Sequence, residues 1–296
     1  MEPFRIHILG CGSALPTLKH SASAQLIEMR GKCFMMDCGE GAQMQFRRSH
    51  VHFAKVSAIF ISHLHGDHCF GLLGLLSTFG MLGRTSRLKV FAPECYASLF
   101  EQQMNFFMQG MTYEIEFVPV DTTQQKVVYE DHSVTVETVP LRHRVPCCGY
   151  IFREKPTLPH IRRDMIDYYG ISLSQINNIK NGADWTTPEG DIVPNSRLVE
   201  PADAPRSYAY CSDTCYLPDL YERVKDVTVL YHESTYTSEN EDRAKIYYHS
   251  TARQAALVAQ KAGAGQCLGG NIMFQLSQVS ATRPERACLN HKRNLS

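Results

Sequence analysis

The sequence predicts a mixed α/β (α+β) fold in which two β-sheets pack between helices. Three observations lead there. Strand patterns followed by a helical stretch recur in two comparable halves of the chain. Residues 56–61 (Val-Ser-Ala-Ile-Phe-Ile) form a short apolar run of the kind buried on both faces of a sheet, which requires a layer on either side. No repeat with a period of about 20–50 residues is present, which excludes solenoids and propellers. At 296 residues a folded chain buries roughly three quarters of its unfolded surface and needs no staple.

The elements follow in order. Residues 4–9 alternate around Ile6 and Ile8 as a strand ending at Gly10-Cys11-Gly12-Ser13. Residues 22–29 and 33–36 flank Arg30-Gly31-Lys32, a hairpin with glycine in its turn. A helix over 42–48, the strand 56–61 and a helix over 71–82 come next. The pattern then predicts a strand at 88–91 and a helix opened by Pro93 at N1 and running to about Met108. Residues 113–118, 126–129 and 133–139 alternate as antiparallel strands. From 155 to 205 the pattern breaks, with prolines at 156, 159, 188, 194, 201 and 205, and this stretch reads as an excursion from the core. Strands at 208–211 and 227–231 and an Ala-rich helix over 251–262 complete the chain as one domain, 1–296, with the excursion inserted at 155–205.

Composition removes several function classes. No apolar run approaches 18 residues, so nothing spans a membrane. The first residues lack a charged region followed by an apolar one, so they do not read as a secretory signal. Thirty basic and thirty acidic side chains balance, which argues against indiscriminate coating of nucleic acid but allows a local basic patch. The candidates for such a patch are Arg47-Arg48, Arg84 with Arg87 and Lys89, and Arg162-Arg163 with Lys180. Eleven cysteines contain no Cys-x-x-Cys pair and read as small buried thiols in a reducing cytosol.

Chemistry concentrates at His63-x-His65-x-Asp67-His68, three imidazoles and a carboxylate directly after a buried strand. Alternate side chains of an extended segment share a side, so His63 and His65 can close on one ion. Gly66 lets the chain turn and frees Asp67 and His68 to face a second. Imidazole suits Zn²⁺, and a neighbouring carboxylate suits a site that also holds water. His143 follows the strand at 133–139 and Asp213 the strand at 208–211. A lone His or Asp at a strand end is ordinarily a cap, but beside such a cluster each becomes a candidate ligand.

These residues carry a resemblance to the metallo-β-lactamase superfamily, and within it to the ribonuclease Z family of tRNA 3′-processing endonucleases. The similarity runs in order through residues 9–17 (Leu-Gly-Cys-Gly-Ser-Ala-Leu-Pro-Thr), 37–43 (Asp-Cys-Gly-Glu-Gly-Ala-Gln), 62–68 and 71–76. It continues at His143 with Pro146 and Gly149-Tyr150, Ser212-Asp213-Thr214, His232-Glu233 and His249-Ser250-Thr251. The resemblance implies an αββα four-layer sandwich with a protruding arm, and a zinc-dependent phosphodiesterase that removes the 3′ trailer from precursor tRNA and leaves a 3′-hydroxyl. It implies two Zn²⁺ per subunit: His63, His65 and His143 on one, Asp67 and His68 on the other, Asp213 bridging. Asp67 would orient the attacking water and accept its proton, His249 would act as general acid, and Glu233 would orient His249. A cytoplasmic homodimer acting on precursor tRNA is the implied setting.

Two departures qualify this reading. The family has a further zinc-ligating histidine after the Ala262-Gly263-Ala264-Gly265 stretch, where this chain has Asn271, so a weakened second site is expected. The tail 272–296 shows neither pattern nor motif, and a one-base frameshift near residues 266–273, in the gene or in its reading, would account for it. The excursion also lacks the family's Gly-Pro motif. A superfamily hydrolase of small esters, thioesters or lactams, and a catalytically impaired tRNA-binding homologue, are the alternatives.

Overall fold

The computed structural model describes residues 2–14, 17 and 20–270. They fall into two compact units, residues 154–205 and the remainder.

The larger unit opens with a six-stranded sheet. Its strands are β1 (Arg5–Gly10), β2 (Ala24–Met29), β3 (Lys32–Cys38), β4 (Val56–Phe60), β5 (Leu88–Pro93) and β6 (Ile115–Val120), in that spatial order. The first three pair antiparallel and the rest parallel. The hairpin between β2 and β3 has the anticipated form: Met29 faces Lys32 across a two-residue loop, and Arg30 and Gly31 both take positive φ (51° and 72°), as a twist-compatible turn demands. Helices α1 (Ala42–Arg48), α2 (Gly66–Cys69), α3 (Leu72–Met81) and α4 (Ala97–Phe107) connect the parallel strands.

Two expectations are corrected here. Pro93 does not open a helix; it ends β5, paired with Val120, and a 3₁₀ turn over Glu94–Tyr96 precedes α4. The strand expected at 113–118 lies at Ile115–Val120 and runs parallel to β5, because the intervening α4 returns the chain in the same direction.

The second sheet repeats this plan. After β7 (Val127–Glu130), β8 (Val134–Pro140) and β9 (Cys148–Glu154) the chain enters the smaller unit. That unit contains β10 (His160–Ile161), α5 (Arg163–Tyr169), α6 (Leu173–Lys180), β11 (Trp185–Thr186), β12 (Ile192–Val193), α7 (Asn195–Leu198) and β13 (Val199–Glu200), packed around Ile171, Ile179, Val193 and Leu198. The chain then returns through β14 (Ser207–Cys211), α8 (Leu220–Arg223), β15 (Val229–Glu233), α9 (Glu241–Tyr247), α10 (Ala252–Ala262) and β16 (Gln266–Gly270). The sheet order is β16-β15-β14-β9-β8-β7. Asn271 and the tail 272–296 lie outside the described residues.

Period-2 alternation divides each central strand between two cores. In β3, Cys33 and Met35 face the helices while Phe34 and Met36 face the other sheet; in β14, Ala209 and Cys211 face helices while Tyr208 and Tyr210 face inward. Phe46, Leu75 and Phe79 seat α1 and α3 on the first sheet, and Leu220, Val258 and Ala262 seat α8 and α10 on the second. This is the four-layer αββα arrangement. The inter-sheet core is aromatic, with Phe60 stacked on Phe91 (4.6 Å) and Tyr210 on Tyr231 (4.8 Å). Three of its buried tyrosines are satisfied: Tyr150 donates to the Ile61 carbonyl (3.1 Å), Tyr208 to Gln25 and Tyr210 to Asp37 (2.8 Å). Among the described residues no helix is long and apolar enough to cross a membrane.

Candidate metal centre

Every sequence-predicted site residue within the described chain converges on one end of the two sheets. His63 to His68 follow β4, His143 follows β8, Asp213 follows β14, Glu233 ends β15, and His249 precedes α10. Ligands lying beyond the carboxyl ends of strands are the usual arrangement in layered α/β folds. The turn Asp37-Cys38-Gly39 closes against the loop that carries the ligands. A Cβ at Gly39 would lie 2.1 Å from the Asp67 carbonyl oxygen, so only glycine allows the two backbones to approach.

His63, His65, His143 and Asp213 each offer one ligand atom within 4.8 Å of the others. His143 Nε2 lies 3.2 Å from His65 Nδ1 and 3.8 Å from Asp213 Oδ2, which is also 3.8 Å from His63 Nε2. The other Asp213 oxygen, Oδ1, is 3.6 Å from His68 Nε2, and Asp67 Oδ2 is 3.7 Å from the same nitrogen. Asp213 therefore turns one oxygen to each half of the cluster.

Protein partners fix which nitrogen points inward. His143 donates from Nδ1 to the Tyr248 carbonyl (2.9 Å), and Tyr248 holds that carbonyl in place by adopting a left-handed backbone (φ 58°). His68 donates from Nδ1 to Asp37 Oδ2 (2.7 Å). His63 Nδ1 lies 3.0 Å from the Ser62 hydroxyl, whose own hydrogen goes to Asp37 (2.9 Å). Orientation of this kind prepares an imidazole as a ligand. Asp37 is fully buried and also accepts the Ser62 amide (2.7 Å) and Tyr210 hydroxyl. Sequence reasoning missed its role, although the 37–43 string was the available signal.

The residues fit a divalent cation. The Nε2 atoms of His63 and His68 are buried and have no hydrogen-bond partner, an expensive arrangement unless something else occupies their lone pairs. Burial, with His68 and the other imidazoles, holds His63 well below its ordinary pKa, and burial pushes His143 down to about 4; both stay neutral, as ligands must. His68 behaves oppositely. Burial opposes its charge, but Asp213 and Asp37 outweigh it and raise the imidazole to about 10, so the protein alone places a proton where its acidic surroundings call for a cation. Burial likewise raises Asp213 to about 7 against the attraction of His68.

Adjoining the first group through the shared Asp213 is a second, Asp213, Glu233 and His249. Glu233 is not available to a metal. Its Oε1 accepts the Thr214 amide (2.9 Å) and His249 Nδ1 (2.8 Å), and its Oε2 accepts the Thr235 amide (3.1 Å) and hydroxyl (2.6 Å), which fills its roughly four lone-pair positions. Burial would raise Glu233, but His249 and the Thr235 and Thr214 donors bring it down; reciprocally, Glu233 lifts His249 above its ordinary value against burial. The pair is a hydrogen-bonded dyad whose imidazole is 5.1 Å, ring to ring, from His143.

The cleft encloses about 390 Å³ and is walled in part by Ser13, Ala14, Glu40, Phe70 and Arg144 besides His65, Asp67, Asp213 and His249. The Ala14 amide donates to Asp67 Oδ2 (2.8 Å). Arg144 was not among the basic residues picked from the sequence. Of those that were, Arg84 is buried and spends its guanidinium on the carbonyls of Phe53, Val56, Ser86 and Arg87. Arg87 and Lys89 pair with Glu114 and Glu116, and Arg162 with Asp164.

Comparison with known proteins places this geometry in a family. The chain is 52% identical to "Ribonuclease Z" of Bacteroides fragilis strain YCH46, over 98% of this chain and 95% of that one. It is 46% identical to "Ribonuclease Z" of Porphyromonas gingivalis W83, over 96% and 94%. Residues 4–159 match the family model described as "Anti-Pycsar protein Apyc1". The chain belongs to the ribonuclease Z family and, through residues 4–159, to the Apyc1 family. The Apyc1 match includes His63 to His68 and His143 but ends before Asp213, Glu233 and His249, whereas the ribonuclease Z relatives align across nearly the whole chain. Among solved structures, human tRNase Z, short form, superposes with a TM-score of 0.66 at 22% identity, covering 91% of this chain and 93% of that one. The metallo-β-lactamase fold protein YhfI of Bacillus subtilis superposes with a TM-score of 0.63 at 15% identity, covering 92% and 88%. These two show the shared metallo-β-lactamase fold.

Proposed function

We propose that this chain is a metal-dependent endoribonuclease that removes the 3′ trailer from precursor tRNA and leaves a 3′-hydroxyl. The observation that carries the proposal is the buried Glu233–His249 dyad adjoining the His/Asp cluster through Asp213, in a chain half identical to proteins named Ribonuclease Z. The dyad offers a proton donor for a departing oxygen, and the near-full-length identity to proteins named Ribonuclease Z is what favours a phosphodiester over the other substrates of this fold.

The donor set of four imidazoles and two carboxylates suits Zn²⁺; His63, His65 and His143 would hold one ion, Asp67 and His68 a second, with Asp213 available to both. When bound, such ions lower the pKa of water toward neutrality and neutralise charge on phosphoryl oxygens. The remaining work falls to the chain. Asp67, anchored by the Ala14 amide, orients the attacking water and takes its proton. Arg144 on the cleft wall offers a cation to the phosphodiester. His249, kept protonated by Glu233, delivers a proton from Nε2 to the departing 3′-oxygen. The weakening of the second site expected from Asn271 rests on residues beyond the described ones.

Family analogy supports a homodimer working in the cytoplasm, a single domain over 1–296 whose inserted unit at 155–205 serves as a substrate arm, and an atypical tail at 272–296. The test is cleavage of a trailer-bearing precursor tRNA by wild type and Asp67→Ala, alongside a panel of lactams and thioesters. We expect wild type to release the trailer and Asp67→Ala to retain the fold but not the activity. Turnover of the small substrates alone would overturn the reading.

A further inference from the structure

Beside the metal cleft lies a second hollow of about 160 Å³, walled by Leu64, Phe70, Leu73, Tyr96, Leu99 and Gln103 among others. Phe70 belongs to both walls. Its ring lies over Gly66, where an added Cβ would meet ring carbons at 2.4 Å, so glycine is what permits this seat. Even so, the side chain is 75% exposed, and Leu99 is 51% exposed. A phenylalanine left open to solvent next to a reaction cleft has an aromatic face free for a ligand.

The hollow also has one fixed polar group. The Tyr96 hydroxyl, on a buried side chain, donates to Gln103 Oε1 at 2.6 Å. That bond holds the amide in place and leaves its Nε2 as a donor with no partner among the described residues. An aromatic face, aliphatic walls and a single positioned donor suit a flat heterocycle with a carbonyl on its edge. The occupant follows from continuity with the cleft, because the group next to a phosphodiester in a polynucleotide is a nucleobase.

We propose that this hollow is the subsite for the base of a nucleotide adjoining the scissile phosphodiester, with Phe70 stacking on the ring and Gln103 Nε2 donating to a ring carbonyl. The proposal rests on the reading of the cleft as a ribonuclease site. It makes Phe70 and Gln103 positioning residues that fix where the RNA lies relative to His249 and Asp67.

Calorimetric binding to the metal-loaded full chain tests it, using uridine 5′-monophosphate against ribose 5-phosphate, which lacks the base. Wild type should bind the nucleotide on the order of ten-fold more tightly, the scale of one base stacked on an aromatic side chain. Phe70→Ala should lose that preference while binding ribose 5-phosphate as before. Phe70→Leu, which keeps apolar bulk without a π-face, should lose most of it, and Gln103→Ala part of it. With precursor tRNA, Phe70→Ala should lower kcat/KM by on the order of ten-fold. Equal binding of the two ligands by wild type, no measurable binding of either, or a preference that survives in Phe70→Ala would overturn the subsite. So would a change of oligomeric state in Phe70→Ala with base preference intact, which would mark the hollow as a contact between copies. A wild type that prefers the nucleotide but does not cut precursor tRNA would sink the ribonuclease reading and leave the subsite standing.

Discussion

Asp37 shows how much of the centre depends on a residue that never touches the reacting atoms. Its two oxygens take four donors, from the Ser62 amide and hydroxyl, His68 and Tyr210, at 2.7–2.9 Å. Through His68 it fixes a ligand nitrogen, and through Ser62 it sets His63. Asp37→Asn removes the charge that secures His68, and we expect metal affinity to fall by about 10–100-fold, the usual cost of losing such a partner; competition with a chromophoric chelator measures it. Glu233 has the parallel role for His249. Because its carboxylate lifts the His249 pKa, the acid stays protonated to higher pH than a free histidine would. Glu233→Gln should therefore move the alkaline limb of the kcat profile to lower pH, since activity needs the protonated imidazole and is lost as pH rises through its pKa. An unshifted alkaline limb would separate Glu233 from the acid.

At the scale of elements, α10 links His249 to the second sheet. Thr251 caps it in a capping box, accepting the Gln254 amide (3.2 Å) while the Gln254 side chain accepts the Thr251 amide (2.9 Å), and Ala255, Val258, Ala259 and Ala262 are buried. Thr251→Ala should cost about 1 kcal/mol in urea unfolding with an unchanged m-value. This helix was legible in the sequence from its alanine-rich run. So were the hairpin at Arg30-Gly31 and the ligand loop at His63 to His68, where local chemistry dictates local structure. The signals failed where one residue type serves two ends: Pro93 suits the last position of a strand as well as the first of a helix. β9 carries Tyr150 and Phe152 into the inter-sheet core, yet it went unread because its Cys-Cys-Gly start resembles a loop. The inserted unit hid its own small core, since four apolar residues spread over short helices leave no long period. Arg84 looked like a phosphate contact because sequence cannot reveal which carbonyls a guanidinium will find.

In the molecule as a whole, the two halves each build a sheet that is antiparallel on one side and parallel on the other, and stack them through a shared aromatic core. The parallel strands β3, β4, β14 and β15 carry their polar residues at the same end, so the chemistry is assembled by the sandwich rather than by any one segment. With formal charge balanced at +0, the proposed affinity for RNA would come from local contacts rather than from an overall field. The central claim is that the buried His/Asp cluster holds the ions that drive phosphodiester cleavage. The direct measurement strips the protein with a chelator, titrates Zn²⁺ back, and follows bound metal per chain together with precursor-tRNA cleavage. We predict that stripping abolishes cleavage and that activity returns in step with metal binding at the cluster. Cleavage that persists in the stripped protein, or a fully loaded protein that leaves precursor tRNA intact, would contradict it.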